Sequence, residues 1–231
     1  FCLISFKVQK TPGRYVEDMS YLSFSRRWAA YLTTCAGLGK EKEVVLAYVI
    51  EVMVINVLNV GLALFLGFIL GVLPGTVACL AAAFFFRHTA GGAHSNSPWR
   101  CGLITVVVFP LIALLAAHLS FLSRPYLDVI TVICVLVGLV KILQSAPVDT
   151  PSAPIVSPLR RKKLKAGSLI VLLGIILILF IMRQSLWPIA KQVELCLALS
   201  VLWVSLMLSS YGNKFMIWVD GVDIKMIFKR R

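Results

Sequence analysis

Apolar residues gather into six long blocks, separated by short stretches that carry polar residues, glycine or proline. The blocks are Val44–Phe68, Thr76–Phe86, Gly102–Phe121, Leu127–Leu143, Ser168–Met182 and Ile189–Ser210. A helix needs about 20 mostly apolar residues to cross a bilayer core. The pattern therefore predicts an all-α, polytopic integral membrane protein of about six spans, the second and fifth being short. Gly71-Val-Leu-Pro74-Gly75 reads as a turn between the first two blocks. Arg14–Cys35 mixes Tyr15, Met19, Leu22, Trp28 and Leu32 with Glu17, Asp18, Arg26 and Arg27. That stretch is too polar to span. It is read either as an amphipathic helix in the headgroup plane or as a helix packed on the bundle.

Composition agrees with the pattern. Of the 231 residues 59% are hydrophobic and 14% charged, with a mean hydropathy of +0.91. Soluble domains run at about 45–50% apolar and about 25% charged, which argues against a soluble enzyme and against a disordered chain. There are 23 Lys and Arg against 10 Asp and Glu, a formal charge of +13. With no polar domain to form a groove, nucleic acid is not the expected partner. Anionic membrane lipid is.

The basic residues also orient the chain. With six spans and the N-terminus inside, 20 cations lie on the cytoplasmic side. Only Arg124, Arg183 and Lys191 lie outside. Cytoplasmic flanks carry the Lys and Arg excess in membrane proteins, so both termini are expected in the cytoplasm. The chain then divides into a cytoplasmic region 1–43, a membrane domain 44–211 and a basic tail 212–231. Within the membrane domain, the loop 144–167 holds Pro147, Pro151, Pro154 and Pro158 and ends in the basic cluster Arg160, Arg161, Lys162, Lys163 and Lys165. That cluster is read either as a topology and lipid signal or as a docking site for something acidic.

Candidate chemistry concentrates in segment 87–101, Arg87-His-Thr-Ala-Gly91-Gly92-Ala-His94-Ser-Asn-Ser-Pro98-Trp-Arg100-Cys101. Non-helical backbone at a membrane boundary survives where protein or a wet cavity satisfies it, so the segment is expected to line a pocket. On one continuous helix His94 and Cys101 would stand about 10 Å apart. Pro98 breaks that helix, because proline favours the first helical position. Ser97 becomes the N-cap and Cys101 the fourth helical residue, with His94 free to fold back. A helix N-terminus with nearby cations, here Arg87 and Arg100, stabilises a thiolate. The pair is read either as nucleophile and base or as a structural cysteine beside a loop histidine. His88 is a competing base. Glu51, inside the first span, is expected to have a partner: it either orients His94, pairs with Arg87 or reaches back to the interface. None of the six cysteines forms a C-x-x-C pair, and no two histidines have metal-ligand spacing. No metal or cofactor is expected.

The motif R-x3-G-G-x-H-x6-C, on Arg87, Gly91, Gly92, His94 and Cys101, resembles that of the accessory gene regulator B family of bacterial membrane cysteine endopeptidases. A second similar stretch is Ala146-Pro-Val-Asp149-Thr150, followed by Pro158 and the cluster at 160–165. The resemblance implies an enzyme of the bacterial cytoplasmic membrane, acting at the cytoplasmic face and suggested to be a homodimer. Its substrate would be a short quorum-sensing pro-peptide with an amphipathic leader and an acidic tail. It implies Cys101 as nucleophile, His94 as general base and Arg87 as a supporting residue. The product would be a thioester that cyclises to a thiolactone. Asp149 and Glu51 are the candidate third members. The alternatives are a leader peptidase without cyclisation, or a non-enzymatic peptide exporter or scaffold.

Overall fold

The structure, a computed structural model, describes residues 23–93, 95, 98–148 and 157–221. The described residues form eight helices: α1 (Ser23–Cys35), α2 (Lys40–Ile69), α3 (Leu73–Thr89), α4 (Pro98–Leu119), α5 (Arg124–Ser145), α6 (Pro158–Gln184), α7 (Ala190–Met207) and α8 (Ser210–Gly221). All six apolar blocks lie on helices. Five of those helices, α2, α4, α5, α6 and α7, are long and apolar enough to cross a membrane. The protein is thus a multi-pass membrane protein. α3 has 17 residues, about 26 Å at 1.5 Å per residue, a little short of a core about 30 Å thick.

Small residues set the crossings. A Cβ on Gly67 would collide with Thr76, so α2 and α3 pack tightly beside their connecting turn. A Cβ on Gly75 would meet Cys196 and Ala113, one on Gly102 would overlap the Asn59 amide, and one on Gly138 would strike Val201. With the short turns between helices and the contacts of Arg183 with Asp128 and Lys165 with Leu143, these contacts fix direction: α2, α4 and α6 run one way, and α3, α5 and α7 the other. Residues 87–93, 95, 98–101, 146–148, 157–165 and 207–221 therefore share one end of the bundle. The turns at 70–72, 120–123 and 185–189 lie at the other. α7 is the central helix, with buried residues on every side, from Val193 to Val204.

The end opposite segment 87–101 is cross-braced by ions. Arg124 Nη1 lies 2.7 Å from Glu194 Oε2, with the Glu194 side chain only 2% exposed. Arg183 grips Asp128 through two bonds of 2.9 and 2.7 Å. Two of the three cations assigned to that side are thereby neutralised. Cations at the other end are far more numerous.

Two expectations are revised by the fold, and two readings of one stretch are joined. The basic cluster is helical rather than loop, because α6 begins at Pro158, N-capped by the Ser157 hydroxyl. The tail from 212 is helical as far as Gly221, where α8 packs back on the bundle through Met216; residues 222–231 lie outside the described residues. In α1 the small residues Ser25, Ala29 and Thr33 face inward, while Phe24, Trp28, Tyr31 and Leu32 stay exposed. It packs on α2 and also shows an apolar stripe outward, which joins the two readings of that stretch; residues 14–22 lie outside the described residues.

Candidate active site

Helix α4 starts at Pro98, as the fixed φ and missing N–H of proline favour. Cys101 falls in its first turn, where backbone N–H groups have no acceptor within the helix. The Cys101 side chain is buried, 8% exposed. Its carbonyl accepts the Thr105 hydroxyl at 3.1 Å. The cavity it faces is also lined by Arg87, Gly91, Trp203, Met207 and Met216. One charged side chain and one thiol thus share a mostly apolar recess formed by α3, α4, α7 and α8.

The Gly-Gly segment is held by bonds from three directions. Arg87 Nη1 donates to the Ala93 carbonyl at 3.2 Å. Ala93 N–H donates to the Met207 carbonyl at 2.9 Å, and Val148 N–H donates to the Ala90 carbonyl at 3.0 Å. The last bond ties together the two sequence motifs, which are far apart in the chain. Gly91 and Gly92 have φ of +72° and +124°, a region that only glycine enters cheaply. A Cβ on Gly91 would also come within 3.0 Å of the Val148 oxygen. Gly91→Ala should therefore destabilise the protein by about 1–2 kcal/mol. Thermal unfolding in detergent checks this; an unchanged midpoint would contradict the strain.

The candidate residues separate clearly. Arg87, Gly91 and Cys101 come together around the cavity, and Gly92 packs beside Arg87 and Met207. His94 and Asp149 lie outside the described residues. Their neighbours Ala93 and Val148 are both bonded into the site. Glu51 is buried, 4% exposed, on the inward stripe of α2 with Ile55 and Asn59. Glu51 stands about 12 Å along the axis from Asn59, the residue that meets Gly102. His88 is exposed, bonded through Nδ1 to the Phe84 carbonyl at 2.8 Å and tilted against the Phe84 ring. That orientation counts against it as the base.

Arg100 does not serve as a cation for the thiolate alone. Its guanidinium is engaged with the end of α8, on the Val219 and Asp220 carbonyls. Of the basic cluster, Arg160, Arg161, Lys162 and Lys163 are exposed in the first turns of α6. Lys165 instead donates to the Leu143 carbonyl at 2.6 Å, capping α5. Gly167 lies against Thr89, so the cluster sits at the same end of the bundle as Cys101. The residues that sequence reasoning missed are Ser95, Met207 and Asp220. Ser95 was signalled only by lying in segment 87–101, Met207 only by lying in the sixth apolar block, and Asp220 by nothing local in the sequence.

The family described as accessory gene regulator B matches residues 25–208. The chain belongs to this family. An AgrB-like protein of Clostridium perfringens strain 13 is 26% identical over 194 residues, covering 81% of this chain and 90% of that protein. Protein FsrB of Enterococcus faecalis is 32% identical over 138 residues, covering 59% of this chain and 55% of its own. An AgrB-like protein of Listeria innocua is 28% identical over 135 residues, covering 57% of this chain and 64% of that protein. No solved structure matches. Membership of the accessory gene regulator B family implies a part in quorum-sensing peptide processing.

Proposed function

We propose that the protein is a membrane cysteine endopeptidase that cleaves the C-terminal tail from a short pro-peptide and delivers the remainder as a thiolactone. The observation that carries this reading is the placement of Cys101. It lies in the first turn of a proline-started helix, in a cavity shared with Arg87, beside the tethered segment that bears His94.

The chemistry follows from that placement. His94 takes the Cys101 proton, and the thiolate attacks the carbonyl before the tail. The peptide C–N bond breaks, the tail leaves as an amine with the histidine proton, and an acyl thioester remains on Cys101. A cysteine thiol of the substrate then gives its proton to His94 and attacks that thioester, and the proton returns to the Cys101 sulfur as it leaves. The bond from the acyl carbon to the Cys101 sulfur breaks, and a ring closes with no net redox change. Thioester exchange conserves acyl activation, so cyclisation needs no ATP where hydrolysis is slow. The apolar walls of the cavity, from Trp203, Met207 and Met216, favour water exclusion. First-turn N–H groups of α4 are the nearest candidates to stabilise the oxyanion. Incubating the protein with synthetic pro-peptide and resolving the products by mass spectrometry tests this directly. A linear product would reduce the function to cleavage without cyclisation; retained processing by Cys101→Ala would make the protein a non-enzymatic exporter or scaffold.

We place the site at the cytoplasmic face of the bacterial membrane, on the end where the basic residues crowd. Arg160, Arg161, Lys162 and Lys163 are assigned to docking the acidic tail. Cations in the first turn of a helix oppose its macrodipole, each by about 0.3–1 kcal/mol, so stability of α6 is not what they serve. Charge pairing with the tail would be strengthened near the low-dielectric membrane. Replacing Arg161 and Lys162 by Glu should raise KM about tenfold or more with a smaller change in kcat, and Lys in the tail should partly rescue it. Topology is checked in the same variant. Normal kinetics in a correctly inserted protein would leave the cluster to lipid and topology.

A further inference from the structure

Helix α8 closes over the segment that joins Arg87 to Cys101, and one aspartate near its end makes the connection. The Ser95 hydroxyl donates a hydrogen bond to Asp220 Oδ1. Arg100 Nη1 donates to the carbonyls of Val219, at 3.0 Å, and of Asp220, and it lies 3.8 Å from the Asp220 carboxylate. Ser95 directly follows His94, and Arg100 directly precedes Cys101. Asp220 thus binds one immediate neighbour of each residue in the proposed catalytic pair.

The contact is built into the fold. Ser95 is 2% exposed, and the Arg100 and Asp220 side chains are about one-fifth exposed. α8 is seated by Met216 in a cluster with Ala93 and Met207. A Cβ on Gly212 would collide with the backbone of Leu206 and Met207, so this glycine permits the sharp corner that folds α8 back. A carboxylate near a helix C-terminus opposes the macrodipole. Asp220 therefore does not stabilise α8 by its own charge; its partners lie on the catalytic segment.

We propose that Asp220 is a positioning residue: by holding Ser95 and Arg100 together it sets the approach of His94 to Cys101. The inference rests on the cysteine-peptidase reading. A chain entered through two glycines carries conformational freedom up to the histidine. The bond from Ala93 to Met207 removes that freedom on one side of residue 94, and the bond from Ser95 to Asp220 removes it on the other. Misplacing a catalytic group by about 1 Å costs about 100-fold in rate.

The test uses the full-length protein in detergent and in vesicles, with a synthetic pro-peptide. Asp220→Ala should lower kcat about 100-fold and leave KM within about twofold of the original value. Asp220→Glu should recover part of the loss. Ser95→Ala removes a single hydrogen bond and should cost about tenfold in kcat. Ser95→Ala combined with Asp220→Ala should be no worse than Asp220→Ala alone, because the bond from the Ser95 hydroxyl to the Asp220 carboxylate is already lost in the latter. A wild-type kcat in folded Asp220→Ala overturns the proposal. If that variant fails to fold, a wild-type kcat in Ser95→Ala overturns it instead. Failure of the underlying reading looks different, because Cys101→Ala would then still process the peptide. If Cys101→Ala is inactive while the Asp220 and Ser95 variants keep wild-type kcat, only the positioning role falls.

Discussion

Cys101→Ala should abolish pro-peptide cleavage while the protein still inserts and folds. The side chain is small and its removal leaves only the space of one sulfur atom, so the packing of α4 on α2 through Gly102 and Asn59 is kept. Chemically nothing replaces it. Among the described residues, no other cysteine lines the cavity with Arg87 and Gly91; Cys79, Cys134 and Cys196 are buried in the helices of the bundle. Loss of a nucleophile that acts as a unit with its base costs roughly 10⁴-fold or more. His94→Ala should fall in the same class, whereas His88→Ala should cost little, since His88 is turned outward onto Phe84. The decisive measurement is the mass of the acyl-enzyme trapped with the pro-peptide and mapped to a residue. An adduct on a different cysteine, or a dead His88 variant beside an active His94 variant, would reverse the assignment.

The largest effect on stability should come from the other end of the bundle. Arg124→Met leaves Glu194 buried at 2% exposure without its ion-pair partner. An uncompensated buried charge costs about 3–5 kcal/mol, whether the carboxylate stays ionised or takes up a proton. Arg183→Ala removes an ion pair whose arginine is 54% exposed, and pairs of that kind are worth about 1 kcal/mol or less. Thermal unfolding of both variants in the same detergent should therefore show a large drop for Arg124→Met and a small one for Arg183→Ala. Equal drops would mean that Glu194 finds other compensation. Cleavage by folded Arg183→Ala should be unchanged, because that pair lies at the far end from Cys101.

Much of the architecture was legible because it depends on local properties. The six apolar blocks and the helices that carry them agree, since the length and hydropathy of a block need no knowledge of its neighbours. The start of α4 at Pro98 was readable for the same reason: the ring of proline and its missing N–H act on one residue and the one before it. The segment 87–101 stood out through its glycines. α6 was misjudged at its start because its first turns are charged rather than apolar, and a hydropathy pattern ends where charge begins even when the helix continues. α8 was taken for a tail because its 12 residues are too few to show a spanning block.

The contacts that assemble the site were not legible, and the reason is their separation along the chain. Val148 bonds to Ala90, Ala93 to Met207, and Asp220 to Ser95 and Arg100, each across several helices. Which residues meet is decided by how the helices cross. The crossings depend on where glycines let backbones approach, as at Gly75, Gly102 and Gly138. By itself the sequence determined a bundle of apolar helices, the family motif and a thiol at the head of a helix. The tertiary structure alone decided that Arg100 turns to α8, that Lys165 caps α5, that Glu194 pairs with Arg124, and that Asp220 reaches both Ser95 and Arg100. Hydrophobic periodicity specifies that a face is buried, but the partner it is buried against emerges only when all the helices pack together.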